Sequence, residues 1–488
     1  MHYVLIGLYI LALLFTFIFS LGQLHLTVHY LRRLRKRKQG HTSPQPPKEW
    51  PKVAIQLPIF NELYVVERLI DCVAQFDYPA DKLEIQVLDD STDETVDLTA
   101  NKVAEWQARG VNITHIRRPD RVGFKAGALQ YGMERTDAEF IAIFDADFLP
   151  HQDWLRQTVP HFQKPEVGVV QTRWGHVNKE YSLLTRLQAF ALDAHFTIEQ
   201  GGRNEAHSFI NFNGTAGIWR KTCIIDAGGW SADTLTEDLD LSYRAQMKGW
   251  HFEYLEHVEA PAELPILMPA IKSQQYRWNK GGAQTARKNL GKVLGTTLGV
   301  PNKFHAVFHL LNSSVFLAIL AAALLSIPML FIKESRPELN LLFNLGSVFL
   351  VGFASIFIFY WVATKRMYPQ QSARYFLVNF PLFLMMSMGL SLHNAIAVAE
   401  GLMGRKSPFI RTPKFNVKDK REAMGENIYI KPKITLLTIV EGILCLYFLF
   451  GIAAGIWLGD YGLMLFHAML AVGYGLIFYH SIKPLKYA

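Results

Sequence analysis

Cysteine is scarce in this sequence: Cys72, Cys223 and Cys445 lie far apart, and no Cys-x-x-Cys pair occurs. That excludes a disulfide framework and a zinc site of paired thiolates, and it implies a soluble part facing a reducing cytosol. A Gly-x-Gly-x-x-Gly run and a Walker A run are both missing, which argues against a dinucleotide oxidoreductase and a P-loop ATPase. No repeat of roughly 20–50 residues marks a solenoid or propeller. Nor do the cations form a nucleic-acid stripe. The formal net charge is +8, but Lys and Arg cluster beside apolar blocks, as contact with anionic lipid and a negatively charged small substrate requires.

What the chain has in excess is long apolar runs, with 50% of its residues hydrophobic. Residues 1–31 read as an uncleaved transmembrane helix: the run is too long for a signal-peptide core, and no small-residue cleavage site precedes the cluster Arg32-Arg33-Leu34-Arg35-Lys36-Arg37-Lys38. A basic, Pro-rich linker over 32–50 leads into a domain of soluble composition over 51–301, and the membrane pattern returns over 302–488. There, spans are predicted at about 304–332, 342–364, 434–458 and 461–480. The stretch 374–401 is apolar but broken by Asn379, Pro381, His393, Asn394 and Glu400. The loop 405–433 holds nine Lys or Arg against three Asp or Glu, so the positive-inside rule wants it on the cytosolic side. Parity then makes 374–401 an interfacial helix and gives five spans. Polar or aromatic residues within the apolar runs (His309, Asn312, Trp361, Glu441) either line a route through the helices or glue them together. With the basic Lys483 and Lys486 closing the chain, no further cytosolic regulatory domain is expected after the last span.

Between these regions the pattern is α/β. Residues 52–57, 83–88 and 141–144 read as buried strands, while 66–74 and 95–109 carry helical spacing, so a largely parallel sheet is expected. Its strand ends carry the polar chemistry. Asp145 and Asp147 stop the run Ile141–Phe144, where an open α/β sheet places its ligand crevice. They read as hard oxygen ligands for Mg2+ or Mn2+, or else as a solvated strand end. Asp89 and Asp90 end an earlier strand, and Phe60 and Glu62 end the first, offering a flat ring and an acceptor to a nucleobase. Lys125, on a glycine-flanked turn, is placed to meet a phosphate. Thr236-Glu237-Asp238 offers a carboxylate able to take a hydroxyl proton, or simply an acidic start to a helix. Gln274, Arg277 and Trp278 share one helix face, where a guanidinium can neutralise a departing diphosphate and an indole can stack on a sugar.

In this order and spacing, these clusters resemble the processive membrane-embedded family 2 glycosyltransferases, which include cellulose, hyaluronan and chitin synthases. The longer wording, Ile85–Asp93, Phe212-Asn213-Gly214-Thr215-Ala216-Gly217 and Gly228-Gly229-Trp230, looks closest to cellulose-synthase-like enzymes that make mannan, glucomannan or the glucan backbone of xyloglucan. The resemblance is close over residues 50–290 and looser in the membrane plan. It implies a GT-A domain, a Rossmann-like mixed α/β sheet, inserted between transmembrane helices. It also implies roles: Phe60, Glu62, Asp89, Asp90, Lys125, Asp145, Gln274 and Arg277 bind the nucleotide donor, and Asp145 and Asp147 hold Mg2+ or Mn2+. Asp238, with Glu237 and Arg277, is catalytic, Asp238 as general base. Phe212, Asn213, Gly214, Thr215 and Trp278 receive the acceptor. Phe409, Thr412 and Lys414, within 402–433, resemble a gating loop, although Arg411 and Pro413 between them depart from the pattern.

The function expected is an inverting, metal-dependent, processive transfer from UDP-glucose or GDP-mannose to a growing β-linked, β-1,4 glycan that leaves through the enzyme's own helices. The catalytic domain is expected on the cytosolic side of a plasma, inner or Golgi-type membrane, with donor, polysaccharide acceptor and lipid as partners and no nucleic acid. Two other readings stay open: a single-transfer lipid glycosyltransferase resembling ceramide glucosyltransferase, and a transporter or receptor carrying an inactive domain.

Overall fold

The computed structural model describes residues 2–38, 44–339, 342–343, 346–407, 410–417, 427–429 and 434–483. Seven strands form one sheet: β1 Val53–Ile59, β2 Leu83–Asp89, β3 Ile113–Ile116, β4 Phe140–Ile143, β5 Val167–His176, β6 Gly217–Arg220 and β7 His251–Ala262. Their order is β3-β2-β1-β4-β6-β5-β7. The first four of that order run parallel, β6 is antiparallel to both β4 and β5, and β5 pairs parallel with β7. The sheet is therefore mixed, and its parallel half is the part that the strand–helix alternation anticipates.

Both faces of the central strands are covered, which explains their unbroken apolar runs. One face packs Ile55, Val87, Phe144 and Trp154, and the other packs Ile141, Trp219, Cys223 and Phe252. Register aligns the strand ends: Ile59 pairs with Asp89, and Gln56 pairs with Ile143. Phe60/Glu62, Asp89/Asp90 and Asp145/Asp147 thus leave the sheet at one edge.

Among the described residues, five helices are long and apolar enough to cross a membrane: His2–Lys36, Asn312–Ser335, Leu350–Met367, Leu436–Leu458 and Met464–Ile482. The expected span 304–332 is divided, since Val300–Leu310 is a separate helix ahead of Asn312. The stretch read as one interfacial helix is a pair, Ser372–Gly389 and Ser391–Leu402, bent by 51°. The bend falls beside a close approach: a Cβ on Gly389 would lie 2.4 Å from the carbonyl oxygen of Gly473. The second helix of the pair presses on the long helix Met268–Leu294, where a Cβ on Gly401 would meet the Lys280 carbonyl oxygen at 2.6 Å.

The α/β domain is fastened to these helices by polar contacts. Arg33, in the basic cluster after the first apolar run, is buried and donates to the carbonyls of Gly201 (3.1 Å) and Tyr254 (2.8 Å). Tyr243 Oη and His309 Nδ1 are 2.9 Å apart, and Trp361 packs edge-on against Phe376, so two of the polar or aromatic residues noted in the apolar runs serve packing.

At Gly389 an added Cβ would meet the Gly473 carbonyl first and Ile477 Cγ1 at 2.8 Å, so Gly389→Ala runs into backbone that cannot swing aside. It should destabilise the protein by about 1–3 kcal/mol, read as a lower thermal unfolding midpoint in detergent.

Candidate active site

The aligned strand ends open into one cleft with about 1410 Å³ of unfilled space. Phe60, Glu62, Asp90, Lys125, Asp145, Asp147, Asn213, Gly214, Glu237, Asp238, Gln274, Arg277, Trp278, Thr412 and Lys414 all line it. Segments some 350 residues apart in sequence, from Phe60 to Lys414, meet there. Three predicted residues stand behind the wall instead. Asp89 is buried, accepting from the Ser91 backbone N–H (2.8 Å) and facing His115 Nε2 (2.8 Å). Phe212 is a core ring edge-on to Trp219. Thr215 is buried, and its Oγ1 accepts from the Asp145 backbone N–H at 2.9 Å, fixing that strand end. Phe409 lies outside the described residues.

Crowded carboxylates need cations, and the fold supplies them. Lys125 leaves the first turn of helix Phe124–Met133, after Gly123 at φ 75°. Its Nζ lies 2.5 Å from Asp145 Oδ1, 2.8 Å from the Gly214 carbonyl oxygen and 4.0 Å from Glu237 Oε1. Lys414 Nζ lies 2.8 Å from Asp147 Oδ1 and 3.1 Å from Glu62 Oε1, and Arg411 Nη1 lies 2.6 Å from Glu62 Oε2. Burial opposes the charge on Lys414, yet Asp147, Glu62 and Asp145 outweigh it and hold the ammonium above the usual lysine range.

Glu237 and Asp238 open the helix Glu237–Met247, whose N-terminal dipole favours anions. Burial nevertheless raises both above the usual carboxylate range, and the neighbouring Glu237 charge adds to the effect on Asp238, which is pushed up to about 7. A Cβ on Gly214 would sit 3.1 Å from Asp238 Oδ2, so only glycine leaves that carboxylate its room. Next to it, Asn213 keeps its side-chain Nδ2 buried without a hydrogen-bond partner among the described residues.

The helix Met268–Leu294 brings in Gln274, Arg277 and Trp278. Gly281 allows it to close on the Thr236 turn, since a Cβ there would meet Thr236 Cγ2 at 2.5 Å and its backbone nitrogen at 2.9 Å. Leu235 N–H donates to Gln284 Oε1 (2.9 Å), and Lys288 and Asn289 both reach Asp240. Arg277 Nη2 donates to Thr412 Oγ1 at 2.8 Å. On the helix's other edge, Lys272, Tyr276 and Lys280 recur every four residues and meet carboxylates from apolar helices. Lys272 Nζ is 2.7 Å from Glu441 Oε2, Lys280 Nζ is 2.8 Å from Glu400 Oε2, and Tyr276 donates to that same oxygen.

Two acid oxygens at a strand end suit a hard divalent cation that completes its shell with substrate phosphate. Both acids are paired with ammonium groups, Asp145 with Lys125 and Asp147 with Lys414. No group of three or more His, Cys, Asp or Glu among the described residues forms an all-protein cage. A cation held there would take oxygens from a bound diphosphate beside Asp145 and Asp147, whose carboxylates now face Lys125 and Lys414.

A family model described as glycosyltransferase-like family 2 matches residues 51–281. Those residues are a family 2 glycosyltransferase domain. Glucomannan 4-beta-mannosyltransferase 1 of Oryza sativa subsp. japonica is 42% identical over 266 residues, which cover 53% of this chain and 51% of the relative. Glucomannan 4-beta-mannosyltransferase 2 of Arabidopsis thaliana is 44% identical over 250 residues, covering 50% of this chain and 47% of its own. The chain thus spans about half the length of the curated relatives it matches. A solved mannosyltransferase of Pyrobaculum calidifontis, in complex with GDP-Man and Mn2+, aligns with a TM-score of 0.53 at 20% identity, over 82% of this chain and all of its own. That likeness is one of fold, and it bears out the GT-A sheet.

Several side chains on this glycosyltransferase domain carry no motif that sequence reasoning flagged. Arg118 holds Asp90 with two parallel bonds, Nε to Oδ1 at 2.7 Å and Nη2 to Oδ2 at 2.6 Å. Glu263 accepts from the backbone N–H groups of Phe415 (2.7 Å) and Asn416 (3.0 Å), docking the segment that carries Lys414. His195, on a π-turn, faces Asn213 Oδ1 at 3.4 Å while its Nδ1 faces Glu199 at 2.7 Å. The run of arginines at 117, 118 and 121 was the one available signal.

Removing one partner of the buried Lys272–Glu441 pair leaves a desolvated charge. Glu441→Gln should cost about 3–5 kcal/mol of stability, and Lys272→Met with Glu441→Leu should recover most of it; thermal unfolding of the purified protein checks both.

Proposed function

We propose that the chain is an inverting, metal-dependent glycosyltransferase. It moves a hexosyl group from a nucleoside-diphosphate sugar to the hydroxyl end of a growing β-linked glycan and feeds the product into its own membrane helices. One observation carries the reading: the high-pKa carboxylate of Asp238, the paired acids Asp145 and Asp147, and the Arg277–Trp278 helix line a single cleft. The relatives' names, glucomannan 4-beta-mannosyltransferases, support a β-linked product and a mannosyl donor among the choices.

In this mechanism Phe60 and Asp90 hold the nucleoside, and Asp145 and Asp147 hold Mg2+ or Mn2+. The cation, when bound, neutralises the diphosphate and polarises it as a leaving group. Arg277 and Gln274 take up the charge that develops as the glycosidic bond breaks. Trp278 stacks on the acceptor sugar, and the free Asn213 Nδ2 donates to one of its hydroxyls. Asp238 accepts the proton of the attacking hydroxyl; a base with a pKa near the working pH does this best. Attack opposite the leaving group inverts an α-linked donor to a β-linked product. Thr412 and Lys414 close the cleft and exclude water, favouring transfer over hydrolysis. The catalytic domain faces the cytosol, so a cysteine at Ser407 should be labelled from that side alone.

Below its pKa Asp238 carries a proton and cannot act as base, so nucleotide release should rise with pH through about 7. Asp238→Asn should abolish turnover and spare nucleotide binding; near-normal turnover removes Asp238 from the mechanism. A donor panel with Mn2+ and nucleotide-release detection, followed by linkage analysis, tests the reaction itself. A polymer released by a β-glycanase supports this reading. One sugar on a chloroform-soluble lipid supports single transfer, and no release with any donor supports an inactive domain.

A further inference from the structure

Arg121 is anomalous among the cations of the cleft. It follows β3 in the turn before helix Phe124–Met133, and its guanidinium carbon lies 3.3 Å from the centroid of the Phe60 ring and 5.1 Å from that of Phe124. Its side chain makes no hydrogen bond or ion pair among the described residues, and its Nε is buried without an acceptor. Its neighbours are satisfied. Arg117 donates to the Ser91 carbonyl at 3.0 Å, and Arg118 bonds both oxygens of Asp90 and the carbonyls of Val122 and Phe124. A planar fork of N–H donors thus lies on the aromatic ring that ends β1, lining the cleft without an acceptor among the described residues.

The nearby carboxylates already hold protein donors. Both oxygens of Asp90 accept from Arg118, and those of Asp89 face Ser91 N–H and His115. A base that must donate an imide N–H, as uracil does between its two carbonyls, would have to share a carboxylate already bonded to an arginine or histidine. A base edge with two adjacent acceptors instead finds a matching pair of donors. Guanine presents such an edge at O6 and N7; uracil alternates acceptor and donor, and adenine pairs N7 with a donating amine.

We propose that Arg121 selects the donor's nucleobase, reading guanine O6 and N7 with two parallel N–H groups; this rests on the cleft being a nucleotide-sugar site. The base takes the face of Phe60 that the guanidinium now covers, and the guanidinium moves into the plane of the base edge. The donor class is then a guanosine-diphosphate sugar.

Nucleotide binding tests this without any transfer step. The full-length protein in detergent with Mn2+ is titrated calorimetrically with GDP, UDP, IDP and 7-deaza-GDP, alongside Arg121→Gln at an unchanged thermal midpoint. GDP should bind the wild type at least about tenfold tighter than UDP and than 7-deaza-GDP, which lacks the N7 acceptor. IDP, which keeps O6 and N7, should match GDP, and Arg121→Gln should level all four. Equal or tighter UDP binding, undiminished 7-deaza-GDP binding, or an unchanged preference in Arg121→Gln overturns the proposal. Should no donor be turned over while these preferences stand, the transfer reading fails and this one survives. No binding of any nucleotide overturns both.

Discussion

Carboxylates in excess at one sheet edge are the constraint on which this structure depends. Glu62, Asp90, Asp145, Asp147, Glu237 and Asp238 line one cleft, and negative charges that close cannot stay ionised without cations between them. Arg118 and Lys125 come from one stretch and Arg411 and Lys414 from another far away in sequence, and each sits against a particular acid. Asp238 is the acid left with the least compensation, and its carboxyl rises to about 7. The same arrangement that stabilises the fold therefore sets Asp238 apart from the paired acids, and on the proposed reading separates a base from the cation ligands. It also accounts for the pairing of Lys414 with Asp147: a lysine supplies there the positive charge that the acids require.

The cleft is also tied to the long apolar helices. One helix, Met268–Leu294, turns Gln274, Arg277 and Trp278 toward the cleft and Lys272, Tyr276 and Lys280 toward Glu441 and Glu400. Glycines allow the contacts to be tight, Gly281 against the Thr236 turn and Gly401 against the Lys280 carbonyl. Leaving-group and acceptor contacts, on the proposed reading, are thus set by the packing of apolar helices as much as by the sheet. Thr412 meets the helix Met268–Leu294 through Arg277, whose Nη2 donates to its Oγ1 at 2.8 Å.

Much of this was legible because chemistry recurs at strand ends. The unbroken apolar run before Asp145 announced a strand buried on both faces, and the acids after it marked the edge that opens into the cleft. Helical spacing correctly put Gln274, Arg277 and Trp278 together. What spacing could not give was direction within a turn. Asp89 and Asp90 are adjacent, yet Asp89 turns inward to His115 while Asp90 reaches the cleft. Phe212 and Thr215 flank two cleft residues but support them from behind. Arg118, Arg121 and Glu263 act through partners distant in sequence, which no local pattern records. Likewise, hydropathy found the apolar stretch 374–401 but not its bend, which falls beside a backbone contact with Gly473, a residue distant in sequence.

The central claim is that these clusters converge on one cation shared with a diphosphate. Binding of Mn2+, followed by the loss of its free-ion electron paramagnetic resonance signal, tests it most directly. With too few protein oxygens for a complete shell, Mn2+ should bind weakly alone and far more tightly once a nucleoside diphosphate is added, and Asp147→Asn should abolish that gain. Mn2+ binding that is indifferent to nucleotide, or a gain that survives Asp147→Asn, would contradict the account.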